Sequence, residues 1–345
     1  MAAEPARPRR QPTLDTVAAA AGVSRATVSR VINGSPLVSA RSRETVEQTI
    51  AKLGYVPNRA ARSLVMRRTD SIALVIREPD ATVLADPYLA NIVLATSQAL
   101  AGTGIQLVLM NAQNDAEHAR LADYVRGGHF DGVLLASMHG DDPLPGILVH
   151  SGVPTVVGGR PASRVGGLTY VDVDNVGGAH LATERLVGAG RRRVATIAGP
   201  PDMTAAADRL AGYRQALLGS AAGGLVAHGR FTRASGEQAM ASLLERDPQL
   251  DAVFVANDLM AVGALRALRA AGRRVPEDVA VVGYGDLEEA RFADPPLTTV
   301  HVDFRQQGWL AGTILARALA GQAPEAVRVK LETRLIVRAS SGVGG

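Results

Sequence analysis

Apolar residues follow two different rhythms along this chain of 345 residues. Between positions 13 and 57 they recur at helical spacing. Leu14, Val17, Ala18 and Ala21 stand at i, i+3, i+4 and i+7, and Thr13 is placed to cap the helix they predict. Gly22 permits a tight turn, and Ser24 caps a second helix reaching to about Asn33. Ser39 caps a third helix, whose Val46, Ile50 and Leu53 form another stripe before Gly54 and Pro57 stop it. Two helices joined by so short a turn predict a helix-turn-helix.

Residues 57–70 contain Arg59, Arg62, Arg67 and Arg68 with few large apolar side chains, so they read as a linker, helical at most over 58–65. From Ser71 the rhythm changes to short, continuous apolar runs separated by helix-length segments. The runs are 72–76, 105–110, 132–136, 155–157, 194–198, 224–227, 252–255 and 279–283. Such runs predict parallel strands covered on both faces. About eight to ten strands exceed a single small sheet. Two α/β lobes side by side, with a cleft at the strand C-termini, account for the number.

Charge sharpens the division. Residues 1–70 carry 12 Lys/Arg against 5 Asp/Glu, net +7, whereas the other 275 carry 25 against 28, net −3. A basic fifth on an acidic body predicts a polyanion-binding headpiece. Aromatics are only 3%, too few for single-strand stacking platforms, and the absence of cysteine excludes disulfides and thiolate chemistry. No apolar run approaches a membrane span, and residues 4–11 are rich in Pro and Arg without an apolar signal core. A soluble, cytoplasmic protein without membrane association is expected.

The stretch Thr13-Leu14-Asp15-Thr16-Val17-Ala18-Ala19-Ala20-Ala21-Gly22-Val23-Ser24-Arg25-Ala26-Thr27-Val28-Ser29-Arg30-Val31-Ile32-Asn33-Gly34 resembles the headpiece of the lactose-repressor (LacI/GalR) family of bacterial transcription regulators. Tyr55-Val56-Pro57-Asn58 and Ala60-Ala61-Arg62-Ser63-Leu64 resemble its hinge. Arg209-Leu210-Ala211-Gly212-Tyr213, Val255-Ala256-Asn257-Asp258-Leu259-Met260-Ala261 and Pro295-Pro296-Leu297-Thr298-Thr299-Val300 continue the likeness in family order. The resemblance covers nearly all of the chain after residue 12. It implies an α plus α/β protein: a basic tail (1–12), a helix-turn-helix headpiece (13–57), a hinge helix and linker (58–70), and a two-lobed, periplasmic-binding-protein-like sensor (71–345).

At the start of a recognition helix, side chains enter the major groove. Arg25, Ala26, Ser29 and Arg30 are read as exposed, with Val28 and Ile32 facing the core. Arg25 and Arg30 can each bond the O6/N7 edge of guanine, and Ala26 offers only an apolar contact. The resemblance places base contacts at Arg25, Ala26 and Arg30, and phosphate contacts at Ser24, Thr27, Ser29, Asn33 and Ser39. Thr13, Leu14, Asn58, Arg59 and Ala61 complete the expected DNA-contacting set. The resemblance also implies that residues 58–64 fold in the minor groove, with Leu64 wedged between central base pairs.

For the sensor, the resemblance points to Arg209, Asn257 and Phe231 as effector contacts. By the same resemblance Phe304 takes a position similar to that of Phe231, and Tyr88 would close the cleft from the first lobe. The family commonly has an acidic residue directly after Gly-Tyr, but here Gly283-Tyr284 is followed by Gly285 and only then by Asp286. Arg160, after Gly158-Gly159, stands where some sugar sensors have Asp. Asp286 and Arg160 therefore join the expected effector set. Two lost carboxylates favour a larger sugar or an acidic one, and a purine or other ligand on the same fold stays open. Asp172-Val173-Asp174 reads as a strand leaving into the cleft rim.

No leucine heptads follow 335–337, so a homodimer on a pseudo-palindromic operator is expected in place of a coiled-coil tetramer. A transport component would have no use for residues 13–64. No two of the seven histidines stand at i, i+3 or i, i+4 as a helical metal pair needs, and there is no Gly-x-Ser-x-Gly elbow or phosphate loop. No enzyme activity, metal or cofactor is expected. The reading is a repressor of carbohydrate-use genes, released from or locked onto its operator by a sugar, oligosaccharide or sugar acid.

Overall fold

The computed structural model describes residues 12–56, 68–78, 85–219, 224–322 and 326–342, and the chain divides into two compact units, Met1–Asp70 and Ser71–Gly345. The first holds α1 (Leu14–Ala21), α2 (Arg25–Ile32) and α3 (Ala40–Leu53). Thr13 and Thr16 form a reciprocal capping box on α1, and Ser24 and Ser39 accept from Thr27 N and Ser42 N to cap α2 and α3. Gly22 and Gly54 end their helices in the left-handed region, at φ 64° and 63°, where a side chain would be strained. Val17, Ala18, Val28, Val31, Val46 and Tyr55 make the core, with Leu14, Ile32, Ile50 and Leu53 packed around it.

The second unit begins with β1 (Ser71–Ile76), α4 (Pro87–Ala99), β2 (Gln106–Asn111), α5 (Asp115–Tyr124), β3 (Gly132–Ala136), α6 (Leu144–His150), β4 (Thr155–Gly158) and β5 (Thr169–Val173). It continues with α7 (Asn175–Gly188), β6 (Val194–Ala198), α8 (Thr204–Leu217), β7 (Val226–His228), α9 (Arg233–Arg246), β8 (Ala252–Val255), α10 (Asp258–Ala270), β9 (Ala280–Gly285) and α11 (Glu288–Phe292). The last elements are β10 (Thr298–His301), α12 (Phe304–Leu319), β11 (Arg328–Leu331) and β12 (Arg334–Ile336).

Two six-stranded sheets result, ordered β11-β5-β4-β3-β1-β2 and β12-β10-β9-β8-β6-β7. All pairings are parallel except β10 with β12. The chain passes between lobes three times: from β5 into α7, which packs on the second sheet, from β10 into α12, which packs on the first, and from β11 to β12. Central strands β3, β6 and β8 are buried at every position, as sheets covered on both faces require. Close helix packing depends on glycine. A Cβ on Gly236 of α9 would lie 2.2 Å from the Met260 carbonyl oxygen, and one on Gly263 of α10 would lie 2.0 Å from that of Arg233.

Four strands fall outside the eight apolar runs. β5, β10, β11 and β12 interleave polar or charged residues, as in Thr-Tyr-Val-Asp-Val and Arg-Val-Lys-Leu. β11 and β12 lie at sheet edges, where one side needs no apolar cover. β7 runs one residue beyond the expected 224–227, and β9 extends through Gly285.

Candidate functional site

The first unit presents the N-terminus of α2. Arg25, Ala26 and Arg30 are exposed, whereas Ser29 and Thr27 are half-buried and Val31 is buried, so Ser29 is less open than its sequence position suggests. Arg25 leans toward Asp15 with Nε 3.7 Å from the carboxylate, a loose exposed pair. Ser24 and Thr27 share a hydroxyl bond of 2.9 Å, and the Asn33 amide donates to the Ser29 hydroxyl at 3.4 Å. Thr13 and Ser39 are likewise occupied as caps. These hydroxyls order three helix N-termini, whose free N–H groups suit phosphate oxygens. Leu14 is half-buried against the headpiece core. Asn58, Arg59, Ala61 and Leu64 lie outside the described residues.

In the second unit a cavity of about 840 Å³ lies between the lobes, walled by the C-terminal ends of both sheets. It is lined by Tyr88, Arg160, Arg209, Phe231, Asn257 and Phe304, six of the seven expected contacts. Arg209 of α8 is held from both sides. Its Nε donates to Asn175 Oδ1 at 2.9 Å and its Nη1 to the Ala256 carbonyl at 2.7 Å, while its guanidinium lies 4.0 Å from the Tyr284 ring centre and 5.8 Å from that of Phe231. Two of its nitrogens are thus spent on the protein, which fixes the guanidinium in place.

Phe231 sits at φ 57°, a left-handed conformation that is strained for an aromatic residue. Asn257 stabilises it: its amide Nδ2 donates to the Phe231 carbonyl at 3.0 Å while its Oδ1 caps α10 through Met260 N at 2.9 Å. Gly199 leaves the space for the ring, since a Cβ there would lie 2.2 Å from Phe231 Cζ. Tyr88 and Phe304 meet edge to face at 5.0 Å. The phenol of Tyr88 is raised by burial, and that of Tyr284 is raised to about 12 for the same reason, so both stay protonated donors.

Asp286 corrects the expectation. It does not line the cavity. Its buried carboxylate takes an ion pair from Arg338 and a bond from His301 Nδ1 at 3.0 Å, with Arg291 at 3.8 Å. Burial alone would raise its carboxyl, but Arg338 and His301 hold it below the usual range. Having two strong partners, it has no reason to enter the gap left by Gly285.

The cleft nevertheless has carboxylates, one of them Asp172 from the strand read as leaving into the cleft rim and the others from residues outside the family motifs. Glu78, Asp86, Asp172 and Asp202 all line it. Asp86 caps α4 through Tyr88 N at 2.9 Å, and burial lifts its carboxyl to about 6, with the Glu78 charge adding to the effect. Burial also raises Asp172, whose Oδ2 lies 3.5 Å from Arg160 Nε. Arg160 reaches across to Asp208 on α8, and that bond raises its own pKa. Arg77 is paired with Asp115 at 2.9 Å. Gln307 donates Nε2 to the Val171 carbonyl at 2.8 Å and forms part of the wall. The signal for these residues is position. Glu78, Ser137, His139, Arg160 and Asp202 each stand within a few residues of a strand's C-terminal end.

Among the described residues, no helix is long and apolar enough to cross a membrane. Residues 13–58 match the bacterial regulatory proteins of the lacI family, and residues 183–341 match the periplasmic binding protein-like domain. The chain is 54% identical over 338 residues to the HTH-type transcriptional regulator CelR of Thermobifida fusca, covering 96% of this chain and 99% of that protein. It is 35% identical to the ribose operon repressor of Escherichia coli (strain K12), over 95% of this chain and 99% of the relative. Among solved structures it resembles a transcriptional regulator CelR–cellobiose complex (TM-score 0.76, 51% identity, 95% and 99% covered). It also resembles a lac repressor dimer bound to operator and the anti-inducer ONPF (TM-score 0.83, 29% identity, 97% and 100% covered). The likeness spans headpiece and sensor alike, and this chain belongs to the lacI family of bacterial regulatory proteins, as a DNA-binding transcriptional regulator.

Proposed function

We propose that this regulator is a homodimeric repressor of carbohydrate-use genes whose effector is a neutral sugar of about disaccharide size. In this reading, residues 13–57 are the DNA-reading headpiece, 58–70 the hinge and 71–345 the sensor. Arg25, Ala26 and Arg30 read bases, while the helix caps Thr13, Ser24 and Ser39, with Thr27, Ser29 and Asn33, position the backbone. Leu14 contributes through the headpiece core, and Asn58, Arg59, Ala61 and Leu64 act from the hinge. Tyr88, Arg160, Arg209, Phe231, Asn257 and Phe304 surround the effector. The protein acts in the cytoplasm and has no catalytic role.

The observation that carries the effector class is the charge and size of the cleft. Four carboxylates (Glu78, Asp86, Asp172 and Asp202) and four arginines (Arg77, Arg160, Arg209 and Arg230) line it, and Arg77 and Arg160 already have acidic partners, so the cleft offers hydroxyls both acceptors and donors and carries no surplus of cation for an acid. That balance disfavours the sugar-acid alternative. Aromatic faces at Phe231, Tyr88 and Phe304 suit the apolar faces of sugar rings. A volume of about 840 Å³ falls in the upper part of the range for small-ligand sites, roughly 300–1,000 Å³, leaving room for a second ring. The solved complex of the CelR relative contains cellobiose. Cellobiose is therefore the first candidate.

Dimerisation is supported by an uncovered apolar edge. Val108 and Leu109 of edge strand β2 and Leu94 of the neighbouring α4 are exposed, and a second copy would cover them.

Isothermal titration with cellobiose, glucose and gluconate tests the effector class. Cellobiose should bind most tightly and gluconate not at all. Tight gluconate binding without cellobiose binding would overturn the reading.

A further inference from the structure

Among the described residues, two groups of contacts join the lobes across the mouth of the cleft. One is the Arg160–Asp208 pair. The other centres on His139, which follows β3 in the first lobe. Its Nε2 lies 3.2 Å from Glu78 Oε1, on the segment after β1 of the same lobe. Its Nδ1 lies 2.9 Å from Asp202 Oδ2, on the loop after β6 of the other lobe. Beside it, Gly140 N donates to the Asp202 carbonyl at 2.9 Å, a second bond between the same two loops. Ser137 donates its hydroxyl to Glu78, which steadies that carboxylate.

We propose that His139, gripped between Glu78 and Asp202, is a proton-dependent catch that holds the sensor lobes closed and thereby sets effector affinity. The second half rests on the reading of the cleft as the effector site, but the catch itself does not. The imidazole can satisfy both carboxylates as a donor only when both ring nitrogens carry hydrogen, that is, as the imidazolium. A neutral ring has one N–H and must turn a lone pair toward one of the two acids. His139 is half-exposed at most, with 23% of its side chain accessible, so protons reach it while screening of the pairs is incomplete.

The charged groups around it point the same way. Glu78 and then Asp202 favour the protonated ring, and together they outweigh the opposing effect of burial, so His139 titrates above the ordinary histidine value. Asp86, at the head of α4, lies near enough to Glu78 for that charge to add to the effect of burial on its own carboxyl, which is lifted to about 6. Arg77, next to Glu78 in the chain, is held by Asp115. Rising pH therefore removes the charge that bridges the lobes. If the effector binds the closed arrangement, losing the catch lowers its apparent affinity, because part of the binding free energy must then close the cleft.

The direct test uses the ligand-free, full-length protein with ring-labelled histidine, following each imidazole by NMR between pH 5 and 9. His139 is assigned by the resonance lost in His139→Gln. Its midpoint should lie above about 6.5. In Asp202→Asn, a change on the other lobe, that midpoint should fall by about one pH unit. An unchanged midpoint in Asp202→Asn would overturn the catch, because the lobes would then not meet at His139. The second test is cellobiose titration at pH 6.0 and 8.5. Affinity should weaken severalfold at the higher pH in the parent and stay level in His139→Gln. The same pH dependence in both proteins would overturn the coupling to effector. No cellobiose binding at either pH would overturn cellobiose as the effector, while the Asp202→Asn midpoint would still decide the catch.

Discussion

The guanidinium of Arg209 lies 4.0 Å from the ring centre of Tyr284, with two of its nitrogens tied to Asn175 Oδ1 and the Ala256 carbonyl. This arrangement links the first turn of α7, the strand end after β8 and the wall of the cleft through one side chain. Arg209→Ala is expected to leave operator affinity near that of the parent and to abolish the change produced by effector. Operator titrations by fluorescence anisotropy, with and without cellobiose, check this. A normal effector response in the variant would remove Arg209 from the site.

Gly199 and Phe231 make a second, sharper prediction. A methyl group at Gly199 meets the Phe231 ring at 2.2 Å, and the ring is the movable partner. Gly199→Ala should displace it and weaken effector binding roughly tenfold, about 1.4 kcal/mol, with little loss of thermal stability. Calorimetric titration and a melting curve on the same sample separate the two effects.

In the headpiece, Arg25 and Ser24 are neighbours with different roles. Arg25→Ala should relax base preference at one position of each half-site, at a cost of about 1–3 kcal/mol. Ser24→Ala removes the cap of α2 and should lower headpiece stability by about 1 kcal/mol without changing which base is preferred. Selection of bound duplexes from a random library, run on both variants, distinguishes loss of reading from loss of folding.

The headpiece was legible because each of its boundaries is local. Thr13, Ser24, Ser39, Gly22 and Gly54 act on the backbone within a few residues of themselves, and the structure uses each where the spacing predicts. The buried strands were legible as unbroken apolar runs. β11 and β12 were not, because Arg328, Lys330 and Arg334 occupy edges where solvent solvates alternate side chains. The cleft was only half legible. Arg209, Phe231 and Asn257 sit in recognisable motifs, whereas Glu78, His139 and Asp202 are far apart in sequence and meet only when two sheets bring their strand ends together. Asp286 misled because nearness to Gly285 in sequence says nothing of Arg338, its partner 52 residues later.

That buried pair gives a pH-dependent prediction. Asp286 and Arg338 side chains are 5% and 17% accessible. Removing the cation in Arg338→Ala leaves the carboxylate short of its strongest partner and should destabilise the sensor by about 3–5 kcal/mol. Because the folded carboxyl of Asp286 is depressed, its contribution is present above the unfolded value, about 3.9, and is lost as pH falls through the folded value. The stability gap between parent and Arg338→Ala should therefore hold from neutral pH down to about 4 and narrow only below it. Urea unfolding at pH 7 and at about pH 3 measures it, and a constant gap would mean the pair is not what stabilises this end of the sheet.

The central claim is that sequence-specific DNA binding by the headpiece responds to a neutral sugar in the cleft. The most direct measurement recovers the preferred duplex from a random library at near-physiological salt, then titrates that duplex against the protein with and without cellobiose. The account predicts a two-fold symmetric site whose affinity changes by roughly 5–150-fold when cellobiose is present. A duplex preference without symmetry, or an affinity that cellobiose leaves unchanged, would contradict it.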